Sequence, residues 1–247
     1  MDKRAIKDYR EYYKILEVKG NGVFGIVYKG REIKTNELRA LKVIELDKIK
    51  ECIFVYGDEN EDPDKKLKEC IDEYIKENKN MELCSNINSV KYYEYFNNEK
   101  NFVIIMELCD ENLSELLLRK KEGFNEEEIY EILKQLNNAF KKMKENKIIH
   151  RDLKLENILI KYKDKDKYII KLGDYGSSKR LNSLSRNYCN TKVGTLIYMA
   201  PEILNGIKYN YKCDLWSRGV IIYRLKFIKP PFNGQTEASL IKKYKYI

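Results

Sequence analysis

The pattern of apolar and polar residues changes along the chain. In its first part, short runs of apolar, β-branched or aromatic residues alternate with turn residues, a pattern typical of strands. The first three runs predict an antiparallel meander, and two later runs complete a small sheet. Between the third and fourth runs, we interpret residues 45–64 as a connection. It contains a short stretch of apolar residues, an apolar island, at 53–56. The five runs occupy residues 13–16, 25–28, 38–44, 90–96 and 102–107.

One helix is predicted within this first part of the chain. Asp62 can cap its first turn, and Pro63 suits its first helical position. Four residues then recur at intervals of three or four positions and share one stripe. A carboxylate is therefore expected on the buried face of the helix. The stripe consists of Cys70, Tyr74, Glu77 and Met81.

The second part of the chain reads mainly as helix. Asn125 and Glu128 have the spacing of a capping box, and apolar residues from Ile129 to Met143 keep the helical period. Short strand runs follow at 157–160 and 168–172, then a long loop and an apolar helix at about 212–227. A small antiparallel sheet followed by helices predicts an α+β fold.

Composition excludes several classes of protein. The 247 residues include 48 Lys and Arg against 39 Asp and Glu, a net charge of +9, but the basic residues are scattered and we expect no nucleic-acid partner. The six cysteines form no CxxC pair, which favours reduced thiols in the cytoplasm, with the nucleus as the alternative. No signal peptide and no long apolar run is found, so we expect no membrane partner.

A glycine-rich turn connects the first two predicted strands. Glycines without a Cβ let backbone N–H groups approach a phosphate closely. A strand follows the turn, whereas a dinucleotide-binding motif would be followed by a helix. A hairpin turn without a ligand is the alternative. The candidate residues are Gly20, Asn21, Gly22, Val23, Phe24, Gly25 and Val27.

Lys42 lies in the third predicted strand, where its side chain would point beneath the glycine-rich turn and hold phosphate oxygens. Most strand lysines are simply solvated. Glu77 on the inward helix stripe supplies a partner, because a buried lysine and a buried glutamate are tolerated mainly as a pair.

Polar residues with complementary chemistry cluster around the single histidine, His150, which we interpret as a hydrogen-bonded structural residue without a metal role. Asp152 offers a carboxylate to accept a proton, and Lys154 offers a cation for phosphate. Asn157 and Asp174 offer the oxygen ligands that Mg²⁺ prefers.

Taken in order, these segments resemble the eukaryotic-type protein kinases, and the resemblance spans nearly the whole chain. It implies a bilobal fold, with an N-lobe of a small antiparallel sheet and one helix at about 1–107, a hinge at 107–112 and a mainly helical C-lobe at 113–247. The matching segments are Gly20 to Val27, Ala40 to Lys42, Glu77, His150 to Asn157, Asp174 to Gly176, Gly194-Thr195, Ala200 to Glu202 and Asp214 to Ser217.

The resemblance implies an ATP-dependent enzyme with Mg²⁺ as cofactor and a nucleotide in the crevice between the lobes. Lys42 would contact the α- and β-phosphates, with Glu77, or failing it Glu73, as its orienting partner. Asp152 would orient the substrate hydroxyl and accept its proton, while Lys154 would steady the γ-phosphate. The metal ligands would be Asn157 and Asp174, and the adenosine would meet Ala40, Met106, Glu107, Cys109 and Asn112.

Lys154 and the Gly194-Thr195 pair resemble the serine/threonine branch of the family, which implies a protein substrate with a Ser or Thr acceptor. In the family, an arginine at the position of Arg151 often binds a phosphate on the activation loop. Thr191 is at the matching place and is the candidate regulatory phosphosite. A merely solvated threonine is the alternative.

The sequence departs from the family pattern in three places. Tyr175 replaces a more common Phe and needs a partner for its hydroxyl, and Arg218 stands where an apolar residue is usual. The chain ends soon after Phe232, so we expect a C-terminally truncated C-lobe with an uncovered helix at 216–227 and a partner over the gap. A truncated, inactive pseudokinase-like scaffold is the alternative function. A small-molecule phosphotransferase is disfavoured by the loop that ends at 200–202.

Overall fold

The protein was analysed as a computed structural model, which describes residues 8–21, 25–56, 62–164, 167–180, 194–234 and 236–244. The chain divides into two compact units. The first unit takes the chain up to Glu82 together with Lys91–Leu108, and the second takes Leu83–Val90 and the chain from Cys109 onward.

A five-stranded antiparallel sheet forms the framework of the first unit, as the alternating pattern predicts. Its strands lie in the order β1-β2-β3-β5-β4. They span Tyr13–Asn21 (β1), Gly25–Glu32 (β2), Leu38–Glu45 (β3), Tyr92–Asn97 (β4) and Asn101–Glu107 (β5).

The two faces of this sheet carry two separate apolar clusters, because neighbouring residues of a strand point to opposite sides. On one face, Leu41 and Val43 pack with Val103, Ile105 and the ring of Phe96. The other face holds a second cluster, which is built on Ile44, Phe102 and Ile104 and is covered by helical residues.

Two helices, α1 (Leu46–Tyr56) and α2 (Pro63–Leu83), belong to the first unit. The helix α2 begins as predicted, since Asp62 Oδ1 accepts a hydrogen bond from the Asp64 backbone N–H at 3.0 Å. The helix α1 corrects our interpretation of its segment as a connection. Leu46, Ile49 and Ile53 share a helical stripe that packs on the sheet, whereas Phe54 of the supposed apolar island is 84% exposed.

The second unit is largely helical, and capping boxes define the starts of two of its helices, α3 (Leu113–Lys120) and α4 (Glu126–Glu145). Asn125 and Glu128 form the predicted box at the start of α4. Its apolar face is buried through Ile132, Leu136 and Ala139. The remaining helices are α5 (Pro201–Leu204), α6 (Lys212–Phe227) and α7 (Glu237–Tyr244).

Short strands in the second unit hold the loops that carry the chemistry. They are β6 (Glu111–Asn112), β7 (Ile148–Ile149), β8 (Ile158–Asp164), β9 (Lys167–Leu172) and β10 (Lys179–Arg180). Strands β6, β8 and β9 form one sheet, and β7 pairs with β10. A sheet followed by helices confirms the predicted α+β class.

Aromatic packing joins α6 to the end of the chain. The Trp216 ring stacks on Phe232 with centroids 5.9 Å apart and meets Tyr244 of α7 edge-on at 4.9 Å. Elsewhere on α6, Ile222 and Phe227 are exposed, within the segment 216–227 that we expected to be partly uncovered. Within the described ranges, every helix is too short or too polar to cross a bilayer.

Candidate active site

The first unit brings Lys42 of β3 and Glu77 of α2 together. Lys42 Nζ lies 3.6 Å from Glu77 Oε1, and the Glu77 side chain is only 5% exposed while that of Lys42 is 27% exposed. Glu73, the fallback partner, is exposed. Burial of this carboxylate beside an ammonium is the arrangement in which a buried charge is tolerated.

Strand register gives Lys42 its neighbours. Val27 and Ile104 lie opposite Lys42 on the two adjoining strands, and Met106 lies opposite Ala40. Because directly opposed residues share a face, Val27, Ala40, Lys42 and Met106 line one side of the sheet. This surface has an apolar part and a cationic end, which suits an adenine ring and a phosphate respectively.

The glycine-rich turn lies only partly within the described residues. Gly20 and Asn21 end β1, where they pair with Val27 and Ile26. Gly25 begins β2, and a Cβ at this position would lie 2.1 Å from the Val43 carbonyl oxygen, so the sheet itself requires a glycine. Gly22, Val23 and Phe24 fall outside the described residues.

The three predicted adenosine-binding residues of the hinge have different surroundings. The Glu107 N–H donates to the Lys91 carbonyl at 2.8 Å, within the first unit. Cys109 is partly buried and forms no disulfide with another described cysteine. Asn112 caps α3, since its Oδ1 accepts from the Glu115 N–H at 3.0 Å, so the structure gives its side chain a capping contact that the sequence analysis did not foresee.

In the second unit, Asp152 is the centre of a polar network. Its Oδ1 accepts hydrogen bonds from the backbone N–H and the hydroxyl of Thr195, at 3.0 and 2.9 Å. Its Oδ2 accepts from Lys154 Nζ at 2.8 Å, and the same ammonium donates to Thr195 Oγ1 at 3.1 Å. The carboxylate is therefore fixed in orientation by a charged partner and by a loop from later in the chain.

Thr195 reaches this position because of the glycine before it. Gly194 has φ +116°, in the left-handed region, and a Cβ there would lie 2.4 Å from the Arg151 carbonyl oxygen. Only glycine adopts this conformation without strain and leaves room for the close approach. The Gly194-Thr195 pair thus works as a unit that holds Asp152.

Asn157 and Asp174 are joined through the backbone. The Gly173 N–H donates to the Asn157 carbonyl at 2.9 Å, which sets Asp174 beside Asn157 in the chain path. The Asn157 amide nitrogen donates to the Asp152 carbonyl at 2.8 Å, which leaves its amide oxygen as the acceptor. Asp174 has φ 52°, an uncommon conformation for a residue with a side chain and one that clusters at functional sites.

The donor chemistry of this pair fits Mg²⁺, because one carboxylate and one amide oxygen are hard ligands, and Mg²⁺ usually completes its shell with water and substrate phosphates. Within the described ranges, no group of three or more His, Cys, Asp or Glu could hold a metal ion. A two-residue magnesium site is therefore the arrangement to test.

Asp214 of α6 anchors the loop that carries these residues, and our sequence analysis gave it no role of its own. Its carboxylate accepts from the backbone N–H groups of His150 at 2.9 Å and Arg151 at 3.0 Å. Burial raises the pKa of Asp214, and its interactions with His150 and Arg151 oppose that rise. His150 Nε2 bonds the Gly173 carbonyl at 3.0 Å, which confirms its reading as a hydrogen-bonded structural residue.

The two unusual residues noted in the sequence both find partners. The Tyr175 hydroxyl lies 3.4 Å from Ser89 Oγ, and its ring packs on His150 with centroids 5.3 Å apart; burial raises its pKa. The Arg218 guanidinium lies over the Phe140 ring at 4.4 Å, and burial lowers its pKa. An arginine can occupy this apolar position because its planar group stacks on an aromatic face.

Of the predicted regulatory pair, Arg151 and Thr191, the structure describes only Arg151. Arg151 has φ 70°, and its Nε donates to the Ser177 carbonyl. Thr191 falls outside the described residues.

Comparison with known proteins agrees with this geometry. The family model described as protein kinase domain matches residues 13–246. Calcium-dependent protein kinase 4 of Plasmodium falciparum (isolate 3D7) is 34% identical over 237 residues, which cover 95% of this chain and 41% of that protein. The serine/threonine-protein kinase atg1 of Dictyostelium discoideum is 34% identical over 232 residues, 90% of this chain and 31% of that protein.

A further relative is the serine/threonine-protein kinase ppk11 of Schizosaccharomyces pombe (strain 972 / ATCC 24843), at 32% identity over 228 residues, 91% of this chain and 65% of that protein. The chain belongs to the eukaryotic-type protein kinase family. Two of these relatives are named serine/threonine-protein kinases, which confirms the predicted branch. It spans 41% of the length of the calcium-dependent relative.

Proposed function

We propose that the chain is an ATP-dependent serine/threonine protein kinase that transfers the γ-phosphoryl group of Mg·ATP to a Ser or Thr hydroxyl of a protein. Residues 1–247 would be one kinase domain with its hinge at 107–112, located in the cytoplasm or nucleus. The observation that carries the proposal is the network in which Lys154 and Thr195 hold the Asp152 carboxylate.

Asp152 is the proposed proton acceptor. In the transfer, a bond forms between the acceptor hydroxyl oxygen and the γ-phosphorus, and the bond from that phosphorus to the β,γ-bridging oxygen breaks. The hydroxyl proton goes to the Asp152 carboxylate, which four hydrogen bonds from Lys154, Thr195 and Asn157 hold in one orientation. Positioning of this kind supplies most of the catalysis in phosphoryl transfer.

The two cations have separate proposed roles. Lys154, bound to Asp152, would hold the γ-phosphoryl oxygens, and Lys42 would hold the α- and β-phosphates while Glu77 fixes its direction. A compact ammonium suits these contacts better than a planar guanidinium. Ala40, Met106 and Val27 would pack against the adenine ring, because they share the face of Lys42.

Members of the family use ATP and Mg²⁺. Here Asn157 and Asp174 would hold the ion. When bound, Mg²⁺ neutralises charge on the phosphate oxygens. The backbone bond from Gly173 to Asn157 keeps the two ligands in a fixed relation.

Regulation by phosphorylation is part of the proposal. Phosphorylated Thr191 would pair with the Arg151 guanidinium, since a phosphate and an arginine form charge-assisted hydrogen bonds.

The alternative function, an inactive scaffold, is not favoured. Two charge pairs that transfer needs, Lys42 with Glu77 and Lys154 with Asp152, are already formed.

The test is transfer of γ-labelled phosphate from Mg·ATP to a general protein substrate by the purified chain. We expect transfer by the wild type and a loss of at least about 100-fold in Lys42→Met and Asp174→Asn, the size expected when positioned charges leave a transition state. Matched controls are Lys48→Met and Asp72→Asn, which change the same residue types at exposed positions of α1 and α2. Thermal midpoints measured without nucleotide show that the variants fold. Activity of Asp174→Asn near wild type would contradict the metal assignment.

A further inference from the structure

Arg224 near the end of α6 is a cation with one hydrogen bond to the described part of the chain. Its Nη1 donates to the Tyr198 hydroxyl at 2.5 Å. Its Nε is buried with no hydrogen-bond partner in the described part of the chain. A guanidinium has five N–H donors, so a single bond to a neutral hydroxyl leaves most of them to be satisfied by something else.

The nearest carboxylate does not fill this need. Glu156 Oε1 lies 4.0 Å from Arg224 Nη1, beyond hydrogen-bond distance, and the Glu156 side chain is 46% exposed whereas that of Arg224 is 19% exposed. An ion pair so open to water is weak. A better-placed anion could therefore displace Glu156 at little cost.

The position of Arg224 ties it to the catalytic loop. Glu156 lies between Lys154 and Asn157 in the chain, and the Leu155 N–H donates to the same Tyr198 hydroxyl at 3.4 Å. Tyr198 is anchored in turn, because Ser217 Oγ donates to its carbonyl at 2.8 Å. The guanidinium thus belongs to the same local assembly as the residues that would meet the acceptor hydroxyl.

We propose that Arg224 is a specificity-determining residue that binds an acidic side chain of the protein substrate close to the acceptor Ser or Thr. This inference rests on the proposed kinase function. A carboxylate matches the planar fork of a guanidinium and forms charge-assisted hydrogen bonds with it. A basic substrate residue would be repelled by the Arg224 charge. Within the described part of the chain, Glu156 is the one carboxylate within 4.0 Å of Arg224 that could offset this repulsion.

The experiment measures kcat/KM on peptides with one serine, in which a single Asp or a single Lys is moved through every flanking position. At one or two positions we expect Asp to be preferred over Lys by about tenfold, the size of one charge-assisted hydrogen bond. Arg224→Gln should abolish this preference and Arg224→Glu should reverse it. Glu156→Gln, which removes the competing carboxylate, should increase it severalfold.

The matched control is Lys226→Glu, the same change of charge on the same helix, at a residue that pairs with Glu126 instead. It should leave the preference unchanged. If Arg224→Glu does not fold, the half-exposed Glu156 still provides the test.

Two failures are distinguishable. Absence of any phosphoryl transfer, including autophosphorylation, would overturn the proposed function. Normal transfer with the same Asp-to-Lys ratio in wild type, Arg224→Gln and Glu156→Gln would overturn the assignment of Arg224 alone. A merely structural role for Arg224 would lower the thermal midpoint without changing that ratio.

Discussion

The two units hold their chemical groups by different means. In the first unit, Lys42 and Glu77 come from a strand and a helix far apart in the sequence, and apolar packing of α2 on the sheet brings them to 3.6 Å. In the second unit, Asp152, Lys154 and Asn157 are close neighbours in the chain, and hydrogen bonds from Thr195 and to Asp214 hold their loop.

This difference has a physical consequence. Packing is non-directional, so the position of Lys42 depends on the volume of the core beneath it. Hydrogen bonds are directional and costly to leave unmade, so the loop around Asp152 depends on single polar atoms. Substitutions that remove volume should therefore act mainly on the first unit, and substitutions that remove one polar atom mainly on the second.

The largest expected effect is on packing in the first unit. Leu41 of β3 is fully buried, whereas Leu38 of the same strand is 39% exposed. Leu41→Ala should lower the free energy of unfolding by about 2–5 kcal/mol, because it leaves a cavity in the core. Leu38→Ala should change it by less than about 1 kcal/mol. Urea denaturation followed by circular dichroism measures both, and equal costs would contradict the packing argument.

Next in size is the effect of removing Asp214, the anchor of the loop around Asp152. Asp214→Asn keeps the shape of the side chain but sets an amide N–H against one of the two backbone donors, His150 or Arg151. A buried donor without a partner should cost about 1–3 kcal/mol. Asp110→Asn is the control, since Asp110 accepts a similar bond from the Tyr162 N–H in an exposed place. Thermal melting of the two variants checks the difference.

A single hydroxyl is the subject of the third prediction. Thr195→Val removes the donor to Asp152 Oδ1 and the acceptor for Lys154 Nζ, and keeps the backbone N–H bond. We expect kcat to fall about tenfold, the value of one hydrogen bond to a charged group, with KM for ATP nearly unchanged. Thr195→Ser should restore the rate, and if it does not, the hydroxyl is not the important group.

The smallest effect concerns a cap in the second unit. Burial would raise the pKa of Glu128, but its bonds to Lys120 and the Asn125 N–H outweigh burial and lower it. A carboxyl group with a lowered pKa stabilises the fold above its ordinary pKa, and this contribution is lost as the pH falls through the lowered value. Glu128→Gln should therefore flatten the decline of the thermal midpoint below about pH 4.5. Glu131→Gln, exposed on the same helix, should not.

Much of the fold followed from periodicity and from caps. The stripe through Glu77 and the start at Asp62 both predicted α2, because a helix of this length repeats its signal several times. The helix α3 was missed although Asn112 and Glu115 repeat the capping-box spacing of Asn125 and Glu128. That spacing was a readable signal for α3.

The candidate site was less predictable where it depends on tertiary contacts. The hydroxyl of Thr195 and the carboxylate of Asp214 act on residues more than forty positions away, and no local pattern shows such a contact. No sequence pattern predicted a role for Arg224, because an arginine at the end of an apolar helix normally extends its charged group into solvent. Its proposed role follows from its contacts with Tyr198 and Glu156 in the folded structure.

The unbroken pairing of β3 with β5 limits how this chain can vary. Seven consecutive partners run from Arg39 opposite Glu107 to Glu45 opposite Asn101. Because faces alternate with every residue, inserting or deleting one amino acid within either strand would rotate Lys42 or Met106 to the opposite side. Natural variants and engineered fusions should therefore place length changes in the turn at 33–37, and a library of single-residue insertions would recover functional members there and none inside β3.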